Sequence, residues 1–241
     1  IDAGRKRKAG AGAGLVKLIG DATQPAIVRA SAVELLAENS ASAGDVVAAL
    51  EGAARDADPQ VRAAAAREMA RVGEAAIVVR VCAPLLGDPV RQVRMDAARA
   101  MAKAPADAMT LEQQAARARG LEEYRSAEMT NADRGESHLN LGLVAQELGD
   151  AAAAEREYKE GIRVSPAFSA TYVNLADLYR GRGDEKLVEQ TLRAGLEKSP
   201  KDAGLRHALG LALVRQKKLE DALRELERSV AFEPGNARYA Y

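Results

Sequence analysis

The stretch His138–Asp150, "HLNLGLVAQELGD", decides the fold because it occurs more than once in the chain. Related copies, "YVNLADLYRGRGD" and "RHALGLALVRQKK", begin at Tyr172 and Arg206, which gives a period of 34 residues. Each copy has an apolar helical face, and proline recurs with the same period, at Pro166, Pro200 and Pro234. A period of this length predicts repeated pairs of helices rather than one unique arrangement.

Composition agrees with an all-α chain. Among its 241 residues only 3% are aromatic, tryptophan is absent and 29% are charged, and the abundant alanine favours helices that pack closely. Lys+Arg and Asp+Glu number 35 each, so no net charge attracts nucleic acid or an anionic membrane. Apolar runs are shorter than the roughly 18 residues that a membrane span needs. We therefore expect neither a nucleic-acid partner nor membrane insertion.

The 34-residue period resembles the tetratricopeptide repeat, a helix-turn-helix unit. Three repeats follow, 135–168, 169–202 and 203–236, and "NARYAY" at 236–241 is interpreted as the start of a capping helix. Gly149 and Gly183 are expected to supply the positive φ of the turn between helices, where the third repeat has Lys217. The family prefers an aromatic residue at the position of Tyr172. His138 and Arg206 occupy this position in the other repeats, so looser packing is expected there. The shared small and apolar positions are Leu141, Leu175 and Leu209; Gly142, Ala176 and Gly210; Ala154, Val188 and Ala222; Tyr158, Leu192 and Leu226.

A different pattern precedes residue 105. "QPAIVRASAVELLA", "DPQVRAAAAREMA" and "DPVRQVRMDAARAMA" begin at Gln24, Asp58 and Asp88, each after an amphipathic segment (11–20, 44–55 and 75–87). The pattern resembles HEAT-like repeats of the type noted in phycobilisome lyases. In such a turn, Asp caps the second helix, Pro suits its first turn, and the following Arg can contact an Asp of a neighbouring repeat.

These patterns predict a right-handed α-α superhelical solenoid with three segments. Residues 1–104 hold about three HEAT-like repeats, and residues 135–241 hold the tetratricopeptide repeats. Residues 105–134 form a connecting helix, "LEQQAARARGLEEYRSAEM" at 111–129, interpreted as a degenerate tetratricopeptide repeat that lacks a full first helix. Pro105 marks the expected boundary.

The inventory of reactive groups argues against an enzyme. Two histidines and one cysteine are present, without the spacing of a metal site or of a catalytic triad. Cys82 lies among apolar residues and is expected to be a buried, unreactive thiol. "GRKRKAGAGAG" at 4–14 lacks the context of a nucleotide-binding loop and is interpreted as a solvated helix start. We expect no catalytic residue, no metal and no cofactor.

Binding is the function that the resemblance implies, because the first helices of tetratricopeptide repeats line a concave groove that holds peptides. Asn140 and Asn174 are 34 residues apart, and an Asn amide can both donate to and accept from a peptide backbone; they are equally consistent with Asn simply being common at that position. The other expected groove residues are Leu139, Leu143, Glu147, Val173, Asp177, Arg180, His207, Leu211 and Arg215. Leu139, Leu143 and Asp177 stand where repeats that capture chaperone C-termini carry basic or amide residues. An amphipathic or neutral ligand is therefore favoured, or other domains of the same parent chain.

Two alternatives remain from the sequence. HEAT-like repeats followed by tetratricopeptide repeats resemble the C-terminal regions of some bacterial multihaem cytochrome-like proteins, which would make this an exported docking region. No Cys-x-x-Cys-His occurs here, so any haem would lie upstream. The second alternative is a bilin lyase, of which only the repeat pattern matches. The compartment stays open between cytoplasm and periplasm.

Overall fold

The computed structural model describes residues 1–6, 10–39 and 42–237, and these residues form fourteen α-helices, two short 3-10 turns and no strand. The all-α class is thus confirmed. Arg7 and Lys8 of the basic cluster, and residues 238–241 of the expected capping helix, lie outside the described residues. None of the described helices is both long and apolar enough to cross a membrane.

The chain divides into two compact units, residues 1–126 (the N-terminal unit) and 127–241 (the C-terminal unit). The division falls inside the helix Leu111–Met129, within the segment that the sequence assigns to the connection. The N-terminal unit contains α1 (Asp2–Arg5), α2 (Ala11–Gly20), α3 (Ala26–Asn39), α4 (Ala43–Ala53), α5 (Pro59–Val72), α6 (Ala75–Cys82), α7 (Arg91–Ala100) and most of α8 (Leu111–Met129). The C-terminal unit contains α9 (Gly135–Glu147), α10 (Ala151–Val164), α11 (Ser169–Gly181), α12 (Glu185–Lys198), α13 (Ala203–Arg215) and α14 (Leu219–Phe232).

In the N-terminal unit α3, α5 and α7 pack side by side. The run Ala63–Ala66 of α5 is buried throughout, and its small side chains let both neighbouring helices approach closely. Larger side chains fill the space between the helices and are fully buried, among them Leu36, Leu50 and Met69. The predicted amphipathic segments 11–20, 44–55 and 75–87 correspond to α2, α4 and α6, the last continued by a 3-10 turn at Ala83–Gly87.

An arginine from each second helix of the N-terminal unit binds an acid further along the chain. Arg29 pairs with Asp56, and Arg62 holds Asp88 with two bonds, Nε to Oδ2 at 2.7 Å and Nη2 to Oδ1 at 3.0 Å. Asp58 instead caps α5, accepting from Gln60 N at 2.8 Å. The arginines therefore join successive repeats, as the Val-Arg pattern predicts.

The third arginine extends the same series. Arg94 Nη2 donates to Glu123 Oε1 of α8 at 2.7 Å, and its Nη1 donates to the carbonyl oxygens of Asp88 and Pro89. Arg62 makes the equivalent carbonyl contacts to Asp56 and Ala57. The second half of α8 therefore supplies the acid that a further HEAT-like repeat would supply.

Helix pairs of the C-terminal unit turn where the sequence predicts. Gly149 and Gly183 have φ of 80° and 78°, and Lys217 has φ of 60° at the same place in the third repeat. Asp150 and Asp184 cap the following helices, but Lys218 gives α14 no side-chain cap. The third turn is therefore the least favourable of the three.

A small residue is required at one position of the first helix because a large side chain of the second helix lies against it. A Cβ on Gly142 would lie 2.3 Å from Tyr158 Cε1, and one on Gly210 would lie 2.6 Å from Leu226 Cγ. The spacing of small and large residues in the sequence thus reflects close contact of two helices within each repeat.

Three chemically different residues occupy the aromatic position of the repeats and make the same hydrogen bond. Tyr172 donates to the carbonyl of Pro166, and Arg206 donates to that of Pro200. His138 Nε2 contacts the carbonyl of Ala132 at 3.0 Å. Each acceptor lies six residues earlier in the chain. His138 is also buried, so the looser packing expected there is not found, whereas Arg206 is only half-buried.

Candidate functional site

The candidate site lies on the first helices of the three 34-residue repeats of the C-terminal unit. α11 neighbours both α9 and α13, so residues 34 apart fall on adjacent helices at equivalent places. Between α11 and α13 the structure has a cavity of about 270 Å³. Its lining residues are Val173, Ala176, Asp177 and Arg180 of α11, Val188 and Leu192 of α12, and Gly204, His207, Ala208, Leu211 and Arg215 of α13.

Several residues predicted from the sequence meet in this cavity, and the others lie elsewhere on the first helices. Six groove residues share the lining: Val173, Asp177, Arg180, His207, Leu211 and Arg215. Five do not belong to it: Leu139, Asn140, Leu143, Glu147 and Asn174. Leu139 is partly buried against the core of the C-terminal unit. The cavity therefore joins the second and third repeats, and the first repeat contributes no side chain to it.

The charged rim of the cavity is already paired within the protein. Arg180 Nη2 lies 3.1 Å from Asp177 Oδ1, one turn earlier on α11. Arg215 Nε lies 2.7 Å from Glu185 Oε1 at the start of α12. These pairs are substantially exposed, so each is worth little and can exchange for a ligand's charge at small cost. The rim can therefore accept charges of either sign.

The two asparagines have intramolecular partners. Asn140 Nδ2 donates to Glu128 Oε1 at 3.1 Å, and Asn174 Nδ2 donates to the carbonyl of Ala170 at 2.8 Å. A peptide that bonded these amide donors would have to replace those contacts. Binding of a peptide by Asn140 and Asn174 stays a prediction.

The floor of the cavity contains residues that the sequence reasoning missed as binding residues. Val188 and Leu192 come from α12 and are almost fully buried. In the sequence, Val188 and Leu192 belong to the small and large apolar positions that recur in each second helix. Their signal in the sequence is the ordinary small and apolar pattern of the repeat, which does not distinguish a floor residue from a core residue.

Two acidic residues of the second helices, Glu155 and Glu189, connect successive repeats. A hydrogen bond from Lys159 is the main cause that lowers the pKa of Glu155 to about 2, and Arg182 and Tyr179 of the next repeat also donate to it. A hydrogen bond from Lys218 likewise lowers the pKa of Glu189 to about 2. Both carboxylates are thus held ionised, which fixes the end of each following first helix.

The single cysteine, Cys82, is buried, as its apolar neighbours in the sequence predict. Burial raises the pKa of the Cys82 thiol to about 12, so the thiolate that would act as a nucleophile is disfavoured. Among the described residues no group of three or more His, Cys, Asp or Glu side chains could hold a metal ion.

Comparison with known proteins places both repeat types on the chain. Residues 13–102 match the HEAT repeat family, and residues 135–168 match the tetratricopeptide repeat family. The HEAT match falls inside the predicted segment 1–104, and the second match coincides with the first predicted 34-residue repeat. Neither match bears on the multihaem alternative.

Among solved structures, the chain is similar to a crystal structure of MamA protein, which is 14% identical, with 70% of this chain and 97% of that chain covered and a TM-score of 0.43. The structure of the APC/C hetero-tetramer Cut9-Hcn1 is 14% identical and covers 99% of this chain and 46% of that chain, with a TM-score of 0.47. MamA from Desulfovibrio magneticus is 16% identical, covering 69% and 80% with a TM-score of 0.38. No curated protein sequence matches the chain.

Proposed function

We propose that the chain is a non-catalytic scaffold that binds a peptide or protein segment along the first helices of its tetratricopeptide repeats. The observation that carries the proposal is the cavity between α11 and α13, which gathers six of the expected groove residues. Helical repeats build extended binding surfaces by stacking such helices side by side.

The size of the cavity favours an anchor side chain over a whole small molecule. Its volume of about 270 Å³ is below the roughly 300–1,000 Å³ of sites that enclose drug-sized ligands. Val173, Ala208 and Leu211 offer apolar surface, and Leu211 is 44% exposed although it is a leucine. One apolar side chain of a peptide can therefore cover Leu211.

The charges at the rim indicate what flanks that anchor. Asp177 lies on one side, and Arg180 and Arg215 extend from the ends of α11 and α13. A bound segment with an apolar residue between groups of opposite charge would complement this rim. The proposed ligand class is thus an amphipathic segment, in agreement with the expectation from the sequence.

The test is peptide selection with the purified chain, followed by calorimetric affinity of the selected peptide for variants. Leu211→Glu should weaken binding by at least about tenfold, because it places a charge in the apolar part of the cavity. Asn140→Ala combined with Asn174→Ala should weaken binding without unfolding the protein.

Leu187→Glu is the matched control, since Leu187 is 37% exposed on α12 and does not line the cavity. Its affinity for the peptide should equal that of the wild type. If Leu187→Glu and Leu211→Glu reduced the affinity equally, the cavity would not be the binding site.

A further inference from the structure

The last described helix of the C-terminal unit, α14, carries an apolar row whose first half faces solvent and whose second half is half-buried. Leu219, Leu223, Leu226 and Val230, here called the α14 row, are separated by four, three and four residues. This spacing places them along one side of a helix, as in the contact seam of two packed helices. Leu219 is 64% exposed and Leu223 58%, so the first half of the row contacts little of the described chain.

The same row in the preceding second helices has a different composition. Glu155 of α10 and Glu189 of α12 stand where α14 has Leu223. Glu155 accepts from Tyr179 Oη of the next repeat at 2.9 Å, and Glu189 accepts from Lys218 Nζ at 2.8 Å. Stacking of successive repeats therefore uses a carboxylate at this place. Leu223 provides no such acceptor, so the α14 row is suited to an apolar surface.

One edge of the α14 row is acidic and uncompensated. Glu220 and Glu227 are seven residues apart beside the row, both are exposed, and neither forms an ion pair or hydrogen bond with the described residues. Arg224 and Arg228, further round the helix, are paired with Asp221 and Glu225. The other edge is closed by α13, where the Ser229 hydroxyl donates to the carbonyl of Ala203 at 2.9 Å.

We propose that the α14 row binds an amphipathic helix of a partner protein whose apolar stripe is flanked by lysine or arginine. The row extends over eleven residue steps, about 16 Å, so three turns of a partner helix cover it. The partner's basic side chains would lie beside Glu220 and Glu227, where opposite charges favour the complex and fix its orientation.

Charge also disfavours other occupants. Two copies of α14 packed antiparallel would bring the Glu220 edge of one against the Glu227 edge of the other, which is unfavourable. An anionic lipid surface would be repelled by the same carboxylates. A basic helix is the occupant that satisfies the apolar row and its edge together.

The experiment measures fluorescence anisotropy of two labelled synthetic helices with the full chain. Both probes have the same leucine stripe; one has lysine and the other glutamate at the flanking positions. We expect the lysine helix to bind at least about tenfold more tightly at low salt, with the difference shrinking as salt screens the charges. Equal affinities, or no binding of either helix, would overturn the proposal.

Two double variants and one control variant test whether the lysine helix binds at the α14 row. Leu219→Gln with Leu223→Gln should weaken the lysine helix by about tenfold or more, and Leu111→Gln, at a leucine 84% exposed on α8, should not. Glu220→Lys with Glu227→Lys should reverse the preference between the two helices. Unchanged binding by the leucine double variant would refute the site.

Sedimentation of the chain alone tests whether a second copy of the chain, rather than a partner helix, covers the α14 row. Self-association that disappears in the Leu219→Gln, Leu223→Gln variant would assign the row to a second copy and overturn the proposal. Leu211→Glu in the α11–α13 cavity should leave the affinity for the lysine helix unchanged. This variant therefore tests the proposed peptide site in the cavity separately from the proposed site on the α14 row.

Discussion

The two units of the molecule differ in the polarity of the best-buried ion pairs between their repeats, although a more exposed pair of the N-terminal unit, Arg67 with Glu34, has the polarity of the C-terminal unit. In the N-terminal unit an arginine of one second helix binds an acid that comes later in the chain, as Arg62 binds Asp88. In the C-terminal unit an acid of one second helix binds cationic or hydroxyl groups of the next repeat, as Glu189 binds Lys218. The comparison shows that a salt bridge between repeats is a shared requirement, whereas the helix that carries each charge is not.

The surroundings of these bridges differ as well. Only 14% of the Arg62 side chain and 6% of the Asp88 side chain are exposed, and Arg62 also donates to two backbone carbonyls. Arg215 and Glu185 at the C-terminal cavity are more open to solvent. We infer that single charge substitutions have larger effects on stability in the N-terminal unit.

The largest expected effect is that of Asp88→Ala. It leaves the Arg62 guanidinium buried without its carboxylate, which costs about 3–5 kcal/mol of unfolding free energy. It also removes the acceptor of the Val90 N–H, now at 2.9 Å from Asp88 Oδ1. Urea unfolding followed by circular dichroism measures the change.

Glu185→Ala is the corresponding substitution in the C-terminal unit and should cost about 1 kcal/mol or less, because the pair with Arg215 is exposed. Equal losses in Asp88→Ala and Glu185→Ala would contradict the contrast between the two units.

Acidification is expected to have a smaller effect on the free energy of unfolding. The pKa of Glu155 and of Glu189 is lowered to about 2 by hydrogen bonds, chiefly from Lys159 and from Lys218. Their stabilisation is therefore present above the ordinary pKa near 4.5 and is lost as pH falls towards 2. We expect about 1–2 kcal/mol per carboxylate, less than the full shift implies, because solvent screens both groups. Glu155→Gln with Glu189→Gln should flatten the loss of stability between pH 5 and 2, measured by urea unfolding.

Glu68 of α5 should have the opposite effect on how stability changes with pH. Burial raises the pKa of Glu68, so its folded form takes up a proton more readily and the protein gains stability relative to Glu68→Gln as pH falls. If both Glu68→Gln and the Glu155, Glu189 double variant changed the acid profile in the same direction, the assignment of causes would be wrong.

Periodicity predicted the helices because a repeat imposes the same small and large positions many times. The spacing that pairs Gly142 with Tyr158 appears in each tetratricopeptide repeat, and the structure has the helices at those places. The Val-Arg pattern likewise predicted the arginine bridges. It did not predict that Arg94 pairs with Glu123, since α8 lacks the Asp-Pro turn by which the earlier acids are recognised.

The candidate site was less predictable. Position within the repeat identified Asp177 and Leu211, which line the cavity, yet equivalent positions in the first repeat, Leu143 among them, do not. Whether a cavity opens depends on the size of side chains from three helices together, and one helix's periodicity does not encode that. The exposure of Leu223 was not predictable for a related reason, because the apolar spacing within one helix does not show whether another helix covers it.

The last predicted effect, also small, concerns the third turn of the C-terminal unit. Lys217 has φ of 60° where Gly149 and Gly183 have 80° and 78°, and a side chain with a Cβ in this region costs roughly 1–2 kcal/mol. Lys217→Gly removes that strain but increases the freedom of the unfolded chain. We therefore expect a net gain of about 1 kcal/mol, seen as a higher urea midpoint. The backbone bond from Lys217 N to the carbonyl of Val214, 2.9 Å long, does not depend on the side chain and is kept.

Gly183→Lys is the reciprocal substitution and should lose a similar amount of stability, because it introduces the same strain at the equivalent turn. Unaltered midpoints in both variants would show that the two turns are energetically equivalent despite their sequences. Opposite shifts of similar size would show that glycine is preferred at this turn for its backbone conformation alone, since no atom lies within 4 Å of a Cβ built on Gly183.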